Sequence, residues 1–155
     1  MPQDFELQDF LPYLLNQAAD VTGLAFQKHY KDKYGMLRTE WRVLFHLGRY
    51  GDLTAKDIGA MARVHKTKIS RAVAALEAKR LLTRHEMEHD RRHAQLRLTA
   101  AGKAAFIDIC KAAQSFDQDL ASQFSASKVA MLKSCLIRLS EIKSSAQHSR
   151  PVEKN

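Results

Sequence analysis

The chain has 155 residues, of which 25 are Lys or Arg and 17 are Asp or Glu, so its formal net charge is +8. Hydrophobic residues make up 45% of it and only six residues are Gly and three Pro, which excludes a disordered or collagen-like chain. This length predicts one domain that buries about 70% of its unfolded surface, enough for a core without disulfides or metals.

Cysteine content and hydropathy indicate where the protein acts. Two cysteines, Cys110 and Cys135, are too few for a disulfide scaffold, so a reducing compartment is expected. No apolar run reaches the roughly 18 residues of a membrane span, and the acidic residues near the N-terminus do not fit a secretory signal. We therefore expect a cytoplasmic protein with no membrane partner.

The positive charge is concentrated in the middle third of the chain. Residues 49–97 hold twelve basic and six acidic residues, a net of +6, whereas residues 1–48 hold five and six, a net of −1. A basic region this local is typical of proteins that bind nucleic acid, and an ordinary solvated basic face is the alternative.

Two helices are predicted before this basic region. Apolar residues at steps of four and three predict a helix over 5–30, in which Pro12 predicts a kink or a break near Phe10–Leu11. Thr39 is predicted to be the N-cap of a second helix over 40–49.

The basic region begins with the pattern of a helix-turn-helix. Thr54 is predicted to cap a short helix over 55–61 that turns Ile58 and Met61 inward. After a short break, a second helix is predicted over Lys66–Lys79. Two short helices joined by a tight break form a helix-turn-helix.

A β-hairpin and two more helices are predicted after the helix-turn-helix. Alternation at Ala94, Leu96 and Leu98 predicts a strand that pairs with Leu81–Met87 across a charged loop, 88–93. Thr99 is then predicted to cap a helix over 100–124. Ser125 or Ser127 is predicted to cap a last helix that ends at Ser145, and a polar tail follows it.

The predicted fold is mainly α with a small β-hairpin wing. A winged helix-turn-helix over 37–99 is flanked by an N-terminal helix within 1–36 and C-terminal helices within 100–145, and 146–155 form the tail. The flanking helices are amphipathic, so we expect their apolar stripes to bury against each other and against a second copy of the chain. A two-fold homodimer is the commonest closed assembly.

The second helix of a helix-turn-helix enters the DNA major groove with its N-terminal end. This end is polar and basic in the sequence, with side chains that suit base edges and phosphates. The alternative is an ordinary solvated helix face. The predicted contacts are Lys66, Thr67, Lys68, Ser70 and Arg71.

The hairpin loop adds a second set of candidate DNA contacts. Arg91 and Arg92 follow Asp90. A narrow minor groove attracts arginine through its negative potential, and the neighbouring carboxylate is predicted to hold a guanidinium group. A hydrophilic β-turn is the alternative interpretation.

Four sequence segments, taken in order, resemble the winged helix of the MarR (multiple antibiotic resistance regulator) family. The resemblance covers about residues 39–102, and the flanking regions match only as amphipathic helices. The segments are Thr39-x-Trp41-Arg42-Val43-Leu44, Lys66-Thr67-Lys68-Ile69-Ser70-Arg71-x-Val73-x-x-Leu76-Glu77, Asp90-Arg91-Arg92 and Leu98-Thr99-x-x-Gly102.

The resemblance implies a transcriptional regulator, usually a repressor, that dimerises through its terminal helices and binds pseudo-palindromic double-stranded operator DNA. It implies that Ser70 and Arg71 are recognition-helix contacts and that Asp90 and Arg92 are the wing pair, with Arg92 in the minor groove. It also implies an effector, often a small aromatic or phenolic acid, that releases the DNA.

The candidate effector residues lie on the first two predicted helices and include aromatic rings and an arginine that can pair with a carboxylate. A structural role, with Trp41 as a core anchor and Arg42 in a salt bridge, is the favoured interpretation. The candidates are Phe26, Tyr30, Trp41, Arg42 and His46.

Three positions depart from the family pattern. Arg63 stands where the tight turn often has glycine, and a side chain there costs roughly 1 kcal/mol if φ is positive. His65 stands where Ser or Asp often caps the recognition helix, and Arg80 stands where glycine often ends it. The two arginines add positive charge near this helix.

Other functions are weaker alternatives. His85-Glu86-x-x-His89 matches the signature of zinc hydrolases, but residues four apart in an extended hairpin stand about 13 Å apart. A second alternative function is redox sensing through Cys110 or Cys135. A third is a winged helix that binds proteins rather than DNA. We expect no enzymatic activity, no metal site and no cofactor.

Overall fold

The computed structural model describes residues 4–142, except for the side chain of Arg91. It confirms a mainly helical fold with a small antiparallel sheet. The elements are α1 (Leu11–Tyr34), α2 (Arg38–Tyr50), β1 (Leu53–Thr54), α3 (Ala55–Ala62), α4 (Lys66–Ala78), β2 (Leu82–Met87), β3 (Asp90–Leu98), α5 (Ala100–Ala121) and α6 (Ala126–Glu141).

The predicted break near Pro12 is confirmed. A 3₁₀ turn at Leu7–Asp9 precedes α1, which begins at Leu11 with the proline in its first turn. Proline is tolerated there because the first backbone N–H groups of a helix have no partner within it. The helix ends at Gly35, whose φ of +62° favours glycine.

The predicted N-cap of α2 is wrong. Leu37, which has extended backbone, precedes the first helical residue, and its carbonyl accepts the Trp41 N–H at 3.0 Å. Thr39 therefore lies inside the first turn. Met36 is fully buried just before the helix, so tertiary packing sets where α2 begins.

The predicted start of α3 is confirmed, and one of its inward residues is wrong. Thr54 Oγ1 accepts the Asp57 N–H at 3.1 Å and the Asp57 carboxylate accepts the Thr54 N–H at 3.3 Å, which is a capping box. Ile58 is buried as predicted, but Met61 is 45% exposed. The short helix faces the core with Ile58 and Ala62, one turn apart, and this rotates Met61 outward.

Three strands form the sheet, in the order β1-β3-β2. Strand β3 pairs with β2 through Leu82↔Leu98 and with the short β1 through Leu53↔Leu96. The predicted hairpin is present, but its turn is shorter than predicted, since β3 already begins at Asp90 and pairs with Met87 across an irregularity in β2. Because β1 has only two residues, no periodicity could reveal it.

The core of the winged helix lies between α2, α3, α4, the sheet and the first part of α5. Helices α2 and α4 contribute the buried side chains of Val43, Leu44, Leu47, Ile69, Val73 and Leu76 to this core. The sheet and α5 add Leu82, Leu96 and Ile109.

One ion pair ties α2 to the end of α4. Lys79 Nζ lies 2.6 Å from Glu40 Oε2, and the Glu40 side chain is only 6% exposed. A carboxylate this buried requires its partner, because an unpaired buried charge is costly. The pair therefore fixes where the C-terminal end of α4 lies against α2.

Residues 4–114 form one compact unit and 115–142 a second. In the second unit, α5 ends at Ala121 rather than at 124, and Ser125 rather than Ser127 caps α6 by accepting the Lys128 N–H at 3.3 Å. No residue of α6 is buried. The predicted helix end at Ser145 and the tail 146–155 lie outside the described residues.

Helix α5 approaches the backbone of Leu81, the residue before β2, closely at Gly102. A Cβ on Gly102 would lie 2.0 Å from the carbonyl oxygen of Leu81. Gly23 in α1 is a matched contrast, because a Cβ there has no neighbour within 4 Å.

We expect Gly102→Ala to lower the free energy of unfolding by about 1–3 kcal/mol, since backbone must move to admit the methyl group. Gly23→Ala should leave it unchanged or raise it by up to about 1 kcal/mol, because alanine favours helix. Urea unfolding followed by circular dichroism measures both. Equal stability of the two variants would contradict the close packing.

Candidate nucleic-acid interface

The first turns of α4 present the predicted recognition residues on one exposed face. Ile69, Ala72, Val73 and Leu76 on the same helix are buried. Burial of this stripe therefore directs the other side of the helix outward. The residues on the exposed side are Lys66, Thr67, Lys68, Ser70 and Arg71.

The turn before α4 has the two unusual residues noted in the sequence. Arg63 adopts a left-handed conformation with φ +53°, in which a side chain costs roughly 1 kcal/mol. His65 is the N-cap of α4, because its Nδ1 accepts the Thr67 N–H at 3.2 Å. The imidazole thus takes the role that Ser or Asp often has, and it does so only while Nδ1 carries no proton.

A groove of about 630 Å³ separates the helix-turn-helix from β2 and β3. Its lining includes the apolar Ile69 and Leu96 and cationic side chains from four elements, α3, α4, β2 and β3. Such a concentration of positive charge attracts phosphate groups. The cationic lining consists of Lys56, Lys66, Arg84 and Arg92.

The wing carboxylate has different partners from those predicted. Asp90 Oδ1 accepts the backbone N–H of Arg92 at 3.0 Å, and Oδ2 lies 2.9 Å from His93 Nδ1. The prediction that Asp90 holds a neighbouring guanidinium is therefore wrong for Arg92, because a short aspartate side chain beside a tight turn bonds its own backbone two residues on. The Arg92 side chain is exposed. That of Arg91 lies outside the described part.

Two ion pairs brace the base of the wing. Arg84 on β2 lies 3.3 Å from Glu77 on α4, and Arg97 on β3 lies 2.7 Å from Asp52 in the turn after α2. All four side chains are partly exposed, so each pair adds little free energy but orients the hairpin.

The hydrogen bonds from His93 and from the Arg92 N–H lower the pKa of the Asp90 carboxyl. Because the native pKa is depressed, these contacts favour the folded wing above the ordinary aspartate pKa, and the benefit is lost as pH falls through the lowered value. His93→Ala should raise the pKa of Asp90 towards its ordinary value, as carboxyl-carbon NMR titration would measure.

Asp108 provides the control for this titration. The hydrogen bonds from Lys33 and Tyr34 lower its pKa, and none of these residues lies in the wing. The pKa of Asp108 should be the same in His93→Ala as in the parent protein. An unchanged pKa of Asp90 in the variant would show that His93 does not hold the carboxylate.

The candidate effector residues lie together between α1 and α2. The ring centroids of Phe26 and Trp41 are 6.0 Å apart, and Tyr30 stacks on Trp41 at 6.3 Å. Tyr30 is only 3% exposed and belongs to the core. Phe45, which the sequence analysis did not single out, extends the cluster, with its centroid 5.5 Å from that of Trp41.

The polar candidates of this cluster have partners in the structure. Arg42 donates to the backbone carbonyl of Ala62 at the end of α3, so its structural role is a hydrogen bond rather than the predicted salt bridge. His46 Nδ1–H donates to the carbonyl of Arg42 at 2.6 Å. Burial and the nearby Arg38 lower the pKa of the Arg42 guanidinium. Arg42 thus connects the aromatic cluster to the helix-turn-helix.

The zinc motif does not form the geometry of a zinc hydrolase, since His85 lies in β2 and His89 in the turn rather than on one helix. Within residues 4–142, no three His, Cys, Asp or Glu side chains are grouped to hold a metal ion. Cys110 is partly buried, and this burial raises the pKa of its thiol, while Cys135 is exposed on α6. A raised pKa disfavours the reactive thiolate.

None of the helices in the described part of the chain is long and apolar enough to cross a membrane.

A helix-turn-helix followed by a basic antiparallel hairpin defines a DNA-binding winged helix. Residues 34–93 match the family model described as MarR family. This match covers the winged helix, the part of the chain in which the sequence segments resemble the family. No curated protein sequence matches the chain significantly.

Solved structures with 19–22% sequence identity to this chain share its fold. BpsR of Bordetella bronchiseptica, whose DNA binding is regulated by 6-hydroxynicotinic acid, has a TM-score of 0.82 at 19% identity, covering 90% of this chain and 99% of that one. NadR in complex with 4-hydroxyphenylacetate has a TM-score of 0.75 at 22% identity, covering 92% of this chain and 100% of that one. MepR of S. aureus in complex with DNA has a TM-score of 0.76 at 20% identity, covering 86% of this chain and 98% of that one.

Proposed function

We propose that the protein is a ligand-responsive repressor that binds a pseudo-palindromic operator as a homodimer. The observation that carries this proposal is the outward face of α4, which places five polar or basic side chains beside a basic groove and an arginine-bearing wing. The MarR-family match supports DNA as the partner, and the MepR complex is a structural precedent.

The proposed DNA contacts divide into two groups. The first turns of α4 enter the major groove. There arginine pairs with guanine, and the hydroxyl groups of Ser and Thr can donate a hydrogen bond to a base or accept one from it. The wing lies over the neighbouring minor groove, into which Arg92 reaches. The proposed contacts are Lys66, Thr67, Lys68, Ser70 and Arg71 on the helix and Asp90, Arg91 and Arg92 on the wing.

Exposed apolar residues on the terminal helices support the homodimer. In the second unit, α6 exposes Met131, Leu132, Leu136, Ile137 and Leu139. In the first unit, Leu11, Leu14, Val21 and Leu24 on α1 are exposed. A monomer rarely leaves so much apolar surface in water, and a second copy of the chain would cover it.

We expect Arg71→Ala and Arg92→Ala each to weaken operator binding by about 1–3 kcal/mol while leaving the fold and the oligomeric state unchanged. The operator is selected from random duplex DNA, and fluorescence anisotropy measures its affinity. Lys111→Ala is the matched control, because this exposed residue on α5 lies outside the winged helix. Unchanged affinity in both folded arginine variants would contradict the site assignment.

We propose that the effector is a small aromatic or phenolic acid that binds at the cluster of Phe26, Tyr30, Trp41, Arg42 and His46. This ligand class is supported by BpsR, whose DNA binding is regulated by 6-hydroxynicotinic acid, and by NadR, which was solved in complex with 4-hydroxyphenylacetate. A carboxylate that draws Arg42 away from Ala62 would release the end of α3, directly before α4. The effector would in this way shift the DNA-binding domain towards a conformation of lower affinity.

Titration with 4-hydroxyphenylacetate and 6-hydroxynicotinic acid tests this proposal. At least one acid should raise the Tm of the parent protein and lower its affinity for DNA, since a ligand stabilises the state that binds it. Arg42→Gln, which keeps a hydrogen-bond donor but loses the charge, should abolish both effects. Benzyl alcohol, an aromatic ligand without a carboxylate, is the control. An equal response in Arg42→Gln would exclude Arg42 as the carboxylate partner.

The function proposed here requires no enzymatic step and no cofactor. We expect the protein to act in the cytoplasm, on the DNA that it regulates.

A further inference from the structure

The basic groove between the helix-turn-helix and the hairpin lies where a DNA backbone has to pass. When α4 occupies the major groove and the wing occupies the adjacent minor groove, the phosphate strand that separates these two grooves crosses the space between α4 and the wing. Four cationic residues line this space, one from each of α3, α4, β2 and β3. Of these four, Arg84 on β2 is the one that has an ion pair within the described part of the chain.

The partner of Arg84 is Glu77 in the last turn of α4. The Nε of Arg84 lies 3.3 Å from both carboxylate oxygens of Glu77, and each side chain is 45% exposed. Charge-assisted hydrogen bonds of arginine are usually about 2.7–2.9 Å long, and exposed ion pairs contribute little free energy. The pair is therefore weak enough for another anion to replace Glu77.

Arg84 lines two depressions on the surface of the winged helix. It lines the basic groove together with Lys66, and it lines a second depression together with Glu77. Of the two partners in the ion pair, only Arg84 lines the basic groove. A carboxylate in the second depression and a phosphate in the basic groove therefore compete for the same guanidinium group.

A second ion pair at the base of the wing provides a contrast. Arg97 on β3 lies 2.7 Å from Asp52, so this contact is shorter than that of Arg84. Arg97 lines a different cavity, between the end of α2 and the start of α5. The same hairpin thus has two ion pairs, of which one contains a residue of the basic groove and the other does not.

We propose that Glu77 competes with the DNA phosphates for Arg84 and thereby lowers the affinity of the protein for DNA of any sequence. The proposal rests on DNA binding by α4 and the wing. Because phosphate contacts carry no sequence information, this competition weakens binding at all sites, including the great excess of non-specific sites in a genome. Glu77 is then a positioning residue that acts through Arg84 and does not itself contact DNA.

The test compares full-length E77Q, R84Q and the double variant E77Q/R84Q with the parent protein. Glu77→Gln keeps the size of the side chain and removes its charge, and both side chains of the pair are half exposed, so the core stays intact. D52N is the matched control, because it removes the same charge from the other ion pair of the hairpin. Binding to a fluorescein-labelled random-sequence duplex of about 30 base pairs is followed between about 50 and 200 mM KCl.

E77Q should bind this duplex about three to ten times more tightly than the parent protein at about 150 mM KCl, since one more phosphate contact forms in each protomer. For the same reason its slope of log affinity against log salt should be steeper by up to about 1 per protomer. E77Q/R84Q compared with R84Q, and D52N compared with the parent, should each differ by less than about twofold, because salt screens a charge that has no direct contact with DNA.

Circular dichroism and size-exclusion chromatography check the fold and the oligomeric state of each variant. An unchanged or lower affinity in E77Q would show that the pair only braces the hairpin, and it would overturn the proposal. An equal gain in E77Q and D52N, or a gain from E77Q that persists in the R84Q background, would overturn it as well. If the folded parent protein shows no salt-dependent binding to DNA, the proposed function fails and this inference fails with it.

Discussion

The burial of one face of α4 is the constraint on which the rest of the structure depends. Ile69, Val73 and Leu76 insert between α2, α3 and the sheet, and burying side chains of this size contributes about 1.5–3 kcal/mol each. Because the buried stripe occupies one side, the polar residues of the first turns must face solvent. The same packing that stabilises the winged helix therefore presents its recognition surface.

Helix α2 contacts the helix-turn-helix at two points, the C-terminal end of α3 and the C-terminal end of α4. Its Glu40 pairs with Lys79 just after α4, and its Arg42 donates to the carbonyl of Ala62 just before the turn that leads into α4. Arg42 also neighbours the aromatic cluster around Trp41, which connects α2 to α1. A ligand that competes for Arg42 would therefore act on the position of α4 through one hydrogen bond, and no long pathway through the protein is needed.

Much of the fold followed from hydrophobic periodicity, which located the helices and the hairpin because each has enough residues to repeat its pattern. Strand β1 has two residues and escaped detection. The N-cap at Thr39 was wrong because the buried Met36 fixes the chain before α2, and such packing is not visible in a local pattern. At the candidate site, the exposed face of α4 followed from its periodicity. The partners of Asp90 did not, because they depend on a turn of only two residues.

Selection of random duplex DNA by the full-length protein at about 150 mM salt tests the central claim most directly, since non-specific attraction is weakened at this ionic strength. Two recognition helices about 34 Å apart should enrich a two-fold symmetric site of roughly 16–20 base pairs. No enrichment by a folded dimer freed of bound small molecules would contradict the account, and the surface formed by α4 and the wing would then serve a partner other than operator DNA.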